Sequence, residues 1–276
     1  MIAQPYSTRL IFRFGLSVNW HRFKISRRRF LCAAFCSAPV LALAEGFWVE
    51  PTWIKIHKLR LAKANRAHRF LHFTDLHYKG DWAFLQAVVN HINRLSPEFV
   101  CFTGDIVEET DYLSEALEIL CGIKTPMFGI PGNHDYWSGA DFEVIARSFE
   151  ATGGAWLLDQ QRMICDGAIN LMGATCEKPP QFELSPSAKN ILLIHYPEWA
   201  DKLGAAKFDL ILAGHSHGGQ VRLPFFGALV VPFGVGRYDL GLFQSPAGPL
   251  YVNAGIGCFY LNVRFNCRPE ITVVEV

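Results

Sequence analysis

Apolar residues fall into two distinct periods along the chain. Phe70–Thr74, Phe99–Thr103, Met127–Ile130, Ile191–Ile194 and Leu210–Ala213 are short, nearly continuous apolar runs. Buried strands read this way, because both of their faces are covered. Trp82–Leu95, Ser114–Leu120 and Asp141–Ala151 instead repeat apolar positions every three or four residues, the spacing of a helix with one buried stripe. The first of these ends before Pro97, and the last starts on an Asp N-cap and stops at Gly153-Gly154. Trp156–Ala174 reads as two strands around the turn signal Asp166-Gly167. Ile54 and Ile56, then Leu59 and Leu61, alternate as an edge strand does. Leu250–Val276 is strand-rich. Strands interleaved with helices predict an α/β fold.

The residues at the strand ends matter more than any single element. Phe70–Thr74 leads into Asp75-Leu76-His77, and Phe99–Thr103 into Gly104-Asp105. Met127–Ile130 leads into Pro131-Gly132-Asn133-His134-Asp135. Ile191–Ile194 is followed by His195, and Leu210–Ala213 by Gly214-His215-Ser216-His217. Alone, each piece has an ordinary reading as a turn, an exposed pair or a structural histidine. In succession they place Asp75, His77, Asp105, Asn133, His134, His195, His215 and His217 at strand carboxyl ends. Ligands bind there in open α/β sheets, so one sheet edge is expected to gather them. The donors are oxygen and imidazole without thiolate, a set suited to Mn, Fe, Zn or Mg.

Charge divides the chain. Of 26 Lys and Arg, seven lie in residues 1–44 (Arg9, Arg13, Arg22, Lys24, Arg27, Arg28 and Arg29), with no acidic residue beside them. The other 19 face all 25 Asp and Glu, so a net of +1 conceals a body at −6. An acidic body argues against a nucleic-acid partner, which requires a basic face. With 50% hydrophobic residues, the chain has ample material for a core. The basic segment resembles an address. Ser26-Arg27-Arg28-Arg29-Phe30-Leu31 opens a fifteen-residue uncharged run that is interrupted by Pro39 and ends Ala42-Leu43-Ala44. It falls short of the roughly 17–25 residues a spanning helix needs, and it ends in the small-x-small pattern of a cleavage site. Paired arginines before Phe-Leu resemble a twin-arginine export signal. The competing reading is an uncleaved membrane anchor.

The chain divides into three regions: a leader over 1–44, a basic junction with a first strand over 45–69, and a domain over 70–276. In the junction, Trp48 and Trp53 precede Lys55, Lys58, Arg60, Lys63, Arg66 and Arg69. Either this is a Trp-bearing basic surface for anionic lipid, or it is a strand with a solvated basic face, the simpler reading. The eight cysteines show no CxxC pair or metal-finger spacing. Cys101 reads as a buried thiol. Cys258 and Cys267 either bridge a hairpin in an oxidising compartment or stay free thiols, and the spacing favours neither. The apolar, glycine-rich stretch Gln220–Leu242 comes after His217. It reads as a wall for an acyl group, with Arg237 and Tyr238 near phosphate, or as a plain covering loop.

Asp75-x-His77, Gly104-Asp105, Gly132-Asn133-His134-Asp135, His195 and Gly214-His215-x-His217 together resemble the calcineurin-like metallophosphoesterase family over residues 70–276. The leader, Gly214–Leu223 and Arg264–Glu270 resemble its twin-arginine-exported bacterial branch, the YaeI-type phosphodiesterases, which is similar to UDP-2,3-diacylglucosamine pyrophosphohydrolases. The resemblance implies a four-layer sandwich of two mixed β-sheets flanked by helices. It also implies two divalent ions, one on Asp75, His77 and His217, the other on Asn133, His195 and His215, with Asp105 between them. His134 would be the acid beside the leaving group, and Asp135 would orient it. The implied activity is hydroxide attack on a phosphodiester, a nucleotide-sugar pyrophosphate or another lipid-linked substrate at the cell envelope. The implied partners are the twin-arginine export machinery and a membrane surface. A broader phosphodiesterase, a phosphoprotein phosphatase and an inactive metal-stabilised binding protein are the alternatives.

Overall fold

The computed structural model describes residues 26–61 and 68–276. Arg9, Arg13, Arg22, Lys24, Lys63 and Arg66, on which part of the leader and junction readings rest, lie outside the described residues. The chain forms two units, Met1–Val40 and Leu41–Val276. Its helices are α1 (Arg27–Ala44), α2 (Trp82–Leu95), α3 (Leu113–Leu120), α4 (Asn133–Trp137) and α5 (Phe142–Ala151). The first strands are β1 (Lys55–Arg60), β2 (Arg69–Phe73), β3 (Val100–Phe102), β4 (Met127–Gly129) and β5 (Ala155–Trp156). Then come β6 (Gln160–Ile164), β7 (Ile169–Gly173), β8 (Lys189–Leu193) and β9 (Leu210–Ala213). The last are β10 (Arg222–Leu223), β11 (Gly227–Ala228), β12 (Gly241–Ser245), β13 (Gly248–Val252) and β14 (Glu270–Glu275).

Two six-stranded mixed sheets result, ordered β1-β14-β2-β3-β4-β5 and β12-β13-β9-β8-β7-β6, and β10 and β11 form a separate small hairpin. The apolar runs are continuous because each sheet is buried on both faces. In and just after β8, Ile191 and Leu193 join the core between the sheets, while Leu192 and Ile194 join the core on the outer face. Helices α2, α3 and α5 cover the outer face of the first sheet through Leu85, Ile92, Leu117 and Phe149. A 3-10 turn at Pro197–Asp201 contributes Trp199 and Ala200 to the cover of the second. Asp81 caps α2 by accepting from Phe84 N at 3.0 Å. Asp141 caps α5 by accepting from Glu143 N at 2.9 Å.

Several expectations need revision. The strand ends belong to two sheets rather than one edge: β2, β3 and β4 lie in the first sheet, β8 and β9 in the second. Trp156–Ala174 holds parts of three strands, because Trp156 completes β5 in the first sheet. Its ring packs on Phe149, at 4.8 Å between centroids, and stays with the helix-side core. Between β13 and β14 the chain is irregular, so Cys258 and Cys267 flank no hairpin, and both are free thiols. Cys101 is buried, as expected.

The α-helix of the leader ends at Ala44, and the helical path runs on beyond it. The helix passes through Pro39, which removes one backbone hydrogen bond and crowds the carbonyl four residues earlier. It continues as a π-helical turn at Glu45–Val49 and a 3-10 turn at Glu50–Thr52. Charge interrupts the apolar run at Glu45, but the helical backbone does not stop there. The 26-residue stretch Arg27–Thr52 is long and apolar enough to cross a membrane by length and composition, properties that a signal sequence near an N-terminus shares. Its end is fastened to the domain. Arg264 N donates to Gly46 O at 2.9 Å, and Cys267 N donates to the buried Glu50 carboxylate at 3.0 Å. Strand β1 is an edge strand whose Lys55 and Arg60 pair with Glu270 and Glu275 at 3.0 and 2.7 Å.

Candidate metal centre

The loops after β2, β3, β4, β8 and β9 bring Asp75, His77, Asp105, Asn133, His195, His215 and His217 into one buried cluster. Asp75, His77, Asp105, His215 and His217 all have left-handed backbones, with φ between 40° and 68°. Such angles are uncommon outside glycine, and their concentration at one place marks backbone conformation held for a site. Glycines make the loops' close approach possible. A Cβ at Gly132 would run into the Asp105 carboxylate, and one at Gly214 into Thr74 Oγ1.

Ring orientation decides what the cluster can bind. His195 Nδ1 lies 2.7 Å from Thr103 O, and His215 Nε2 lies 2.6 Å from Phe233 O. A carbonyl only accepts, so both nitrogens carry their proton outward. The inward nitrogens, His195 Nε2 and His215 Nδ1, are then lone pairs only 3.1 Å apart. The Asp105 Oδ2 atom is 3.3 Å from His195 Nε2 and 3.5 Å from His77 Nε2. His77 Nε2 is also 3.0 Å from His217 Nε2, and Asp75 Oδ1 is 3.5 Å from His217 Nε2. Buried acceptors crowded this closely need a cation among them. A proton can serve in part: burial opposes it, yet Asp105 and Asp75 push the His195 imidazole up to about 9. Burial and the neighbouring His195 hold His215 down to about 3, so its nitrogen remains a free donor to metal. The donor set therefore fits divalent ions. Three groupings here could each hold one: Asp75, His77 and His217; His77, Asp105 and His134; Asp105, His195 and His215. Asn133 Oδ1 stands 2.9 Å from His195 Nε2, beside the last of these.

Glu108 is a functional residue that sequence reasoning missed. Its Oε1 is 3.1 Å from His77 Nδ1, and Lys79 lies 3.0 Å from its other oxygen. The carboxylate lies behind the imidazole without being aligned for a hydrogen bond, so its effect on the ring is electrostatic. Although burial resists it, His77 and Lys79 hold the Glu108 carboxyl down to about 2. The available signal was its position three residues after Asp105 in the same loop.

Asp135 does not orient the His134 ring. Its carboxylate accepts from Gly132 N, Asp105 N and Ile106 N, at 2.8, 2.9 and 2.8 Å. It thus ties the β3 and β4 loops together, with both oxygens engaged by backbone amides. His134 is instead framed by the rings of His77, Trp137 and Phe259, at centroid distances of 4.8, 4.9 and 5.0 Å. Asp135→Ala leaves three buried amides without acceptors. At roughly 1–3 kcal/mol each, the variant is expected to lose at least about 3 kcal/mol of stability in denaturant titration. A midpoint equal to wild type would reject this structural role.

His77, Asp105, Asn133, His215 and His217 of the cluster line the floor of a cavity of about 450 Å³. Val230, Val231, Phe233, Phe259, Tyr260 and Trp137 make its walls. Arg237 and Tyr238 are not among its lining residues. Tyr238 is buried, and its hydroxyl donates to Asp201 at 2.6 Å, while Arg237 bonds the same carboxylate at 3.2 Å. Asp201 engages both groups, and both lie away from the cavity. Phe225 and Phe226 also stay off the wall, since the β10–β11 turn carries them outward.

Residues 68–219 match the family model for the calcineurin-like phosphoesterases. The chain is 31% identical to the uncharacterized metallophosphoesterase YkuE of Bacillus subtilis, over 91% of this chain and 97% of that protein. It is 30% identical to phosphodiesterase YaeI of Escherichia coli, covering 91% of this chain and 99% of that protein. Identity to the UDP-2,3-diacylglucosamine pyrophosphatase LpxG of Chlamydia muridarum is 25%, over 88% and 95% of the two chains.

Proposed function

The chain belongs to the calcineurin-like phosphoesterase family as a metal-dependent phosphoester hydrolase, and from that premise we propose that it cleaves diesters or pyrophosphates carrying an apolar group at the cell envelope. The observation that carries this reading is the cavity itself. Its floor is part of the metal-competent cluster, its walls are apolar and aromatic, and no Lys or Arg is among the residues that line it. A dianionic monoester lacks a basic partner there, whereas a diester phosphate or one phosphate of a pyrophosphate carries less charge. An acyl or other apolar group suits Val230, Val231 and Phe233. Relatives named as a phosphodiesterase and as a UDP-2,3-diacylglucosamine pyrophosphatase support the same class.

In this proposal Asp75, His77 and His217 hold one divalent ion, and Asn133, His195 and His215 hold a second. Asp105 reaches toward both. The bound ions would supply Lewis acidity at phosphorus and a nucleophile near neutral pH. The chain's residues do the remainder. Asp105 Oδ1 accepts from His134 N at 2.8 Å and so fixes the start of α4 against the β3 loop. Thr103 O and Phe233 O hold the inward nitrogens of His195 and His215 toward the site, and the Glu108 carboxylate lies 3.1 Å behind the His77 ring. The aromatic walls limit water at the reacting phosphate, and His134 stands at the cavity edge to give a proton to a leaving oxygen.

Arg27-Arg28-Arg29 and the apolar helix after them support export by the twin-arginine route or retention at the membrane. A domain facing the cytoplasm would meet UDP-sugar intermediates, while a periplasmic one would meet other lipid-linked diesters. The test is the purified full chain, loaded with Mn, Zn or Mg in turn, against soluble diesters, soluble monoesters and UDP-2,3-diacylglucosamine. Diester or pyrophosphate turnover should exceed monoester turnover by at least about tenfold, a transition-state preference of about 1.4 kcal/mol. Faster monoester hydrolysis would overturn the assignment.

A further inference from the structure

We propose that the β10–β11 turn, the 260–261 loop and the end of the N-terminal helix form one bilayer-docking edge, which brings the cavity mouth down to the lipid headgroups. This rests on the proposed hydrolysis of substrates with apolar groups, and it adds the surface from which they are taken.

The β10–β11 turn is Pro224-Phe225-Phe226, closed by pairing of Leu223 with Gly227. Phe225 is fully exposed, and Phe226 is 87% exposed. Phe225 also holds φ at +69°, where Gly or Asn would be unstrained. The turn thus spends backbone strain to present two phenyl rings to the outside, with no protein core behind the exposure.

The turn has exposed apolar neighbours. Arg222 N donates to Phe265 O, and Phe265 N to Gln220 O, each at 2.9 Å. One residue earlier, Arg264 N donates to Gly46 O at 2.9 Å. The hairpin, the segment leading to Phe265 and the end of the N-terminal helix therefore lie side by side. Each exposes large apolar groups: Leu229 and Val230 from the hairpin, Tyr260 and Leu261 from the middle segment, Trp48 from the helix end. Val230 and Tyr260 line the cavity as well, so the apolar edge and the site share residues.

Charge and connectivity select a bilayer as the occupant. Residues 220–236 and 257–268 contain no Asp or Glu. Of the two acids at the helix end, Glu50 is buried and accepts from Cys267 N, which leaves Glu45 as the one exposed carboxylate there. Arg268 lies over the Trp53 ring at 3.8 Å, and a guanidinium on an indole suits the headgroup region. The helix end is also the last part of the stretch long and apolar enough to cross a membrane.

Two variants of the full chain test this in vesicles of equal parts phosphatidylethanolamine and phosphatidylglycerol. Phe225→Trp adds an indole whose extra emission, over wild type, should be quenched by brominated acyl chains. Unquenched extra emission would overturn the proposal. F225D/F226D should slow hydrolysis of a vesicle-embedded diester about tenfold or more, while a soluble diester is unaffected, because two apolar contacts with lipid are lost. Equal turnover of both substrates by variant and wild type would also count against it. A concentration-dependent dimer abolished by F225D/F226D, with no quenching, would assign the edge to a second copy of the chain instead. Should wild type fail on the embedded diester while the indole is quenched, the substrate reading falls and the docking edge stands.

Discussion

Asp105→Asn is expected to cost the protein its bound metal and at least about a thousandfold in kcat/KM on a diester, roughly 4 kcal/mol of transition-state stabilisation. The substitution keeps the shape of the side chain. An amide oxygen can still accept from His134 N, which Asp105 Oδ1 does at 2.8 Å, so the β3 and β4 loops can stay joined. The charge and the second donor oxygen are lost. Asp105 Oδ2 lies 3.5 Å from His77 Nε2 and 3.3 Å from His195 Nε2, between the two candidate groups. Asp75 is the other carboxylate offered directly to the three groupings at the strand ends, so half of their negative charge disappears. An amide nitrogen in the Oδ2 position would turn a donor toward the ions. Metal content per folded chain and diester turnover should therefore fall together. Wild-type metal content with full activity in Asp105→Asn would remove Asp105 from the centre of the site.

How far the sequence reveals this site can be traced residue by residue. Strands β2, β3, β4, β8 and β9 announce themselves because both faces of each sheet are buried, which makes their apolar runs continuous. The ligand candidates stand out because each comes directly after such a run. Asp81 and Asp141 mark helix starts through local hydrogen bonds, which sequence spacing alone can specify. Partnership across the fold is hidden. Asp135 looked like a companion to its neighbour His134, yet its three amide partners come from Gly132 and from a strand end about thirty positions earlier in the chain. Arg237 and Tyr238 come soon after the metal loops in sequence, but Asp201 captures both. Glu108 was overlooked since nothing local shows that His77 Nδ1 faces it. The division of strands between two sheets is equally non-local: Ala155-Trp156 and Gln160 are nearly adjacent, yet they belong to different sheets.

His134→Ala should retain metal and lose about a hundredfold or more in kcat on substrates with poor leaving groups, the range for removal of a positioned acid. His134 stands apart from the cluster histidines, His77, His195, His215 and His217, in solvent contact and surroundings. It is half-buried, it lines the cavity, and its ring sits among His77, Trp137 and Phe259. Its backbone N–H, not its ring, is bonded to Asp105, so truncating the imidazole leaves the loop connection intact. An acid beside the leaving oxygen matters most when that oxygen is a strong base. A nitrophenolate departs without help, so the variant should approach wild type on an activated diester and fall behind as the leaving-group pKa rises. Burial pushes the His134 imidazole below its usual value, although Asp105 and Glu108 pull it partly back. The protonated fraction therefore shrinks as pH rises through that lowered value, and the ratio of wild-type to variant rate should shrink with it. The measurement is a plot of log kcat against leaving-group pKa for both proteins across pH, with metal content checked in each. Parallel lines offset by a constant would show that His134 positions the substrate rather than protonating the leaving group, and coincident lines would show that its ring does neither.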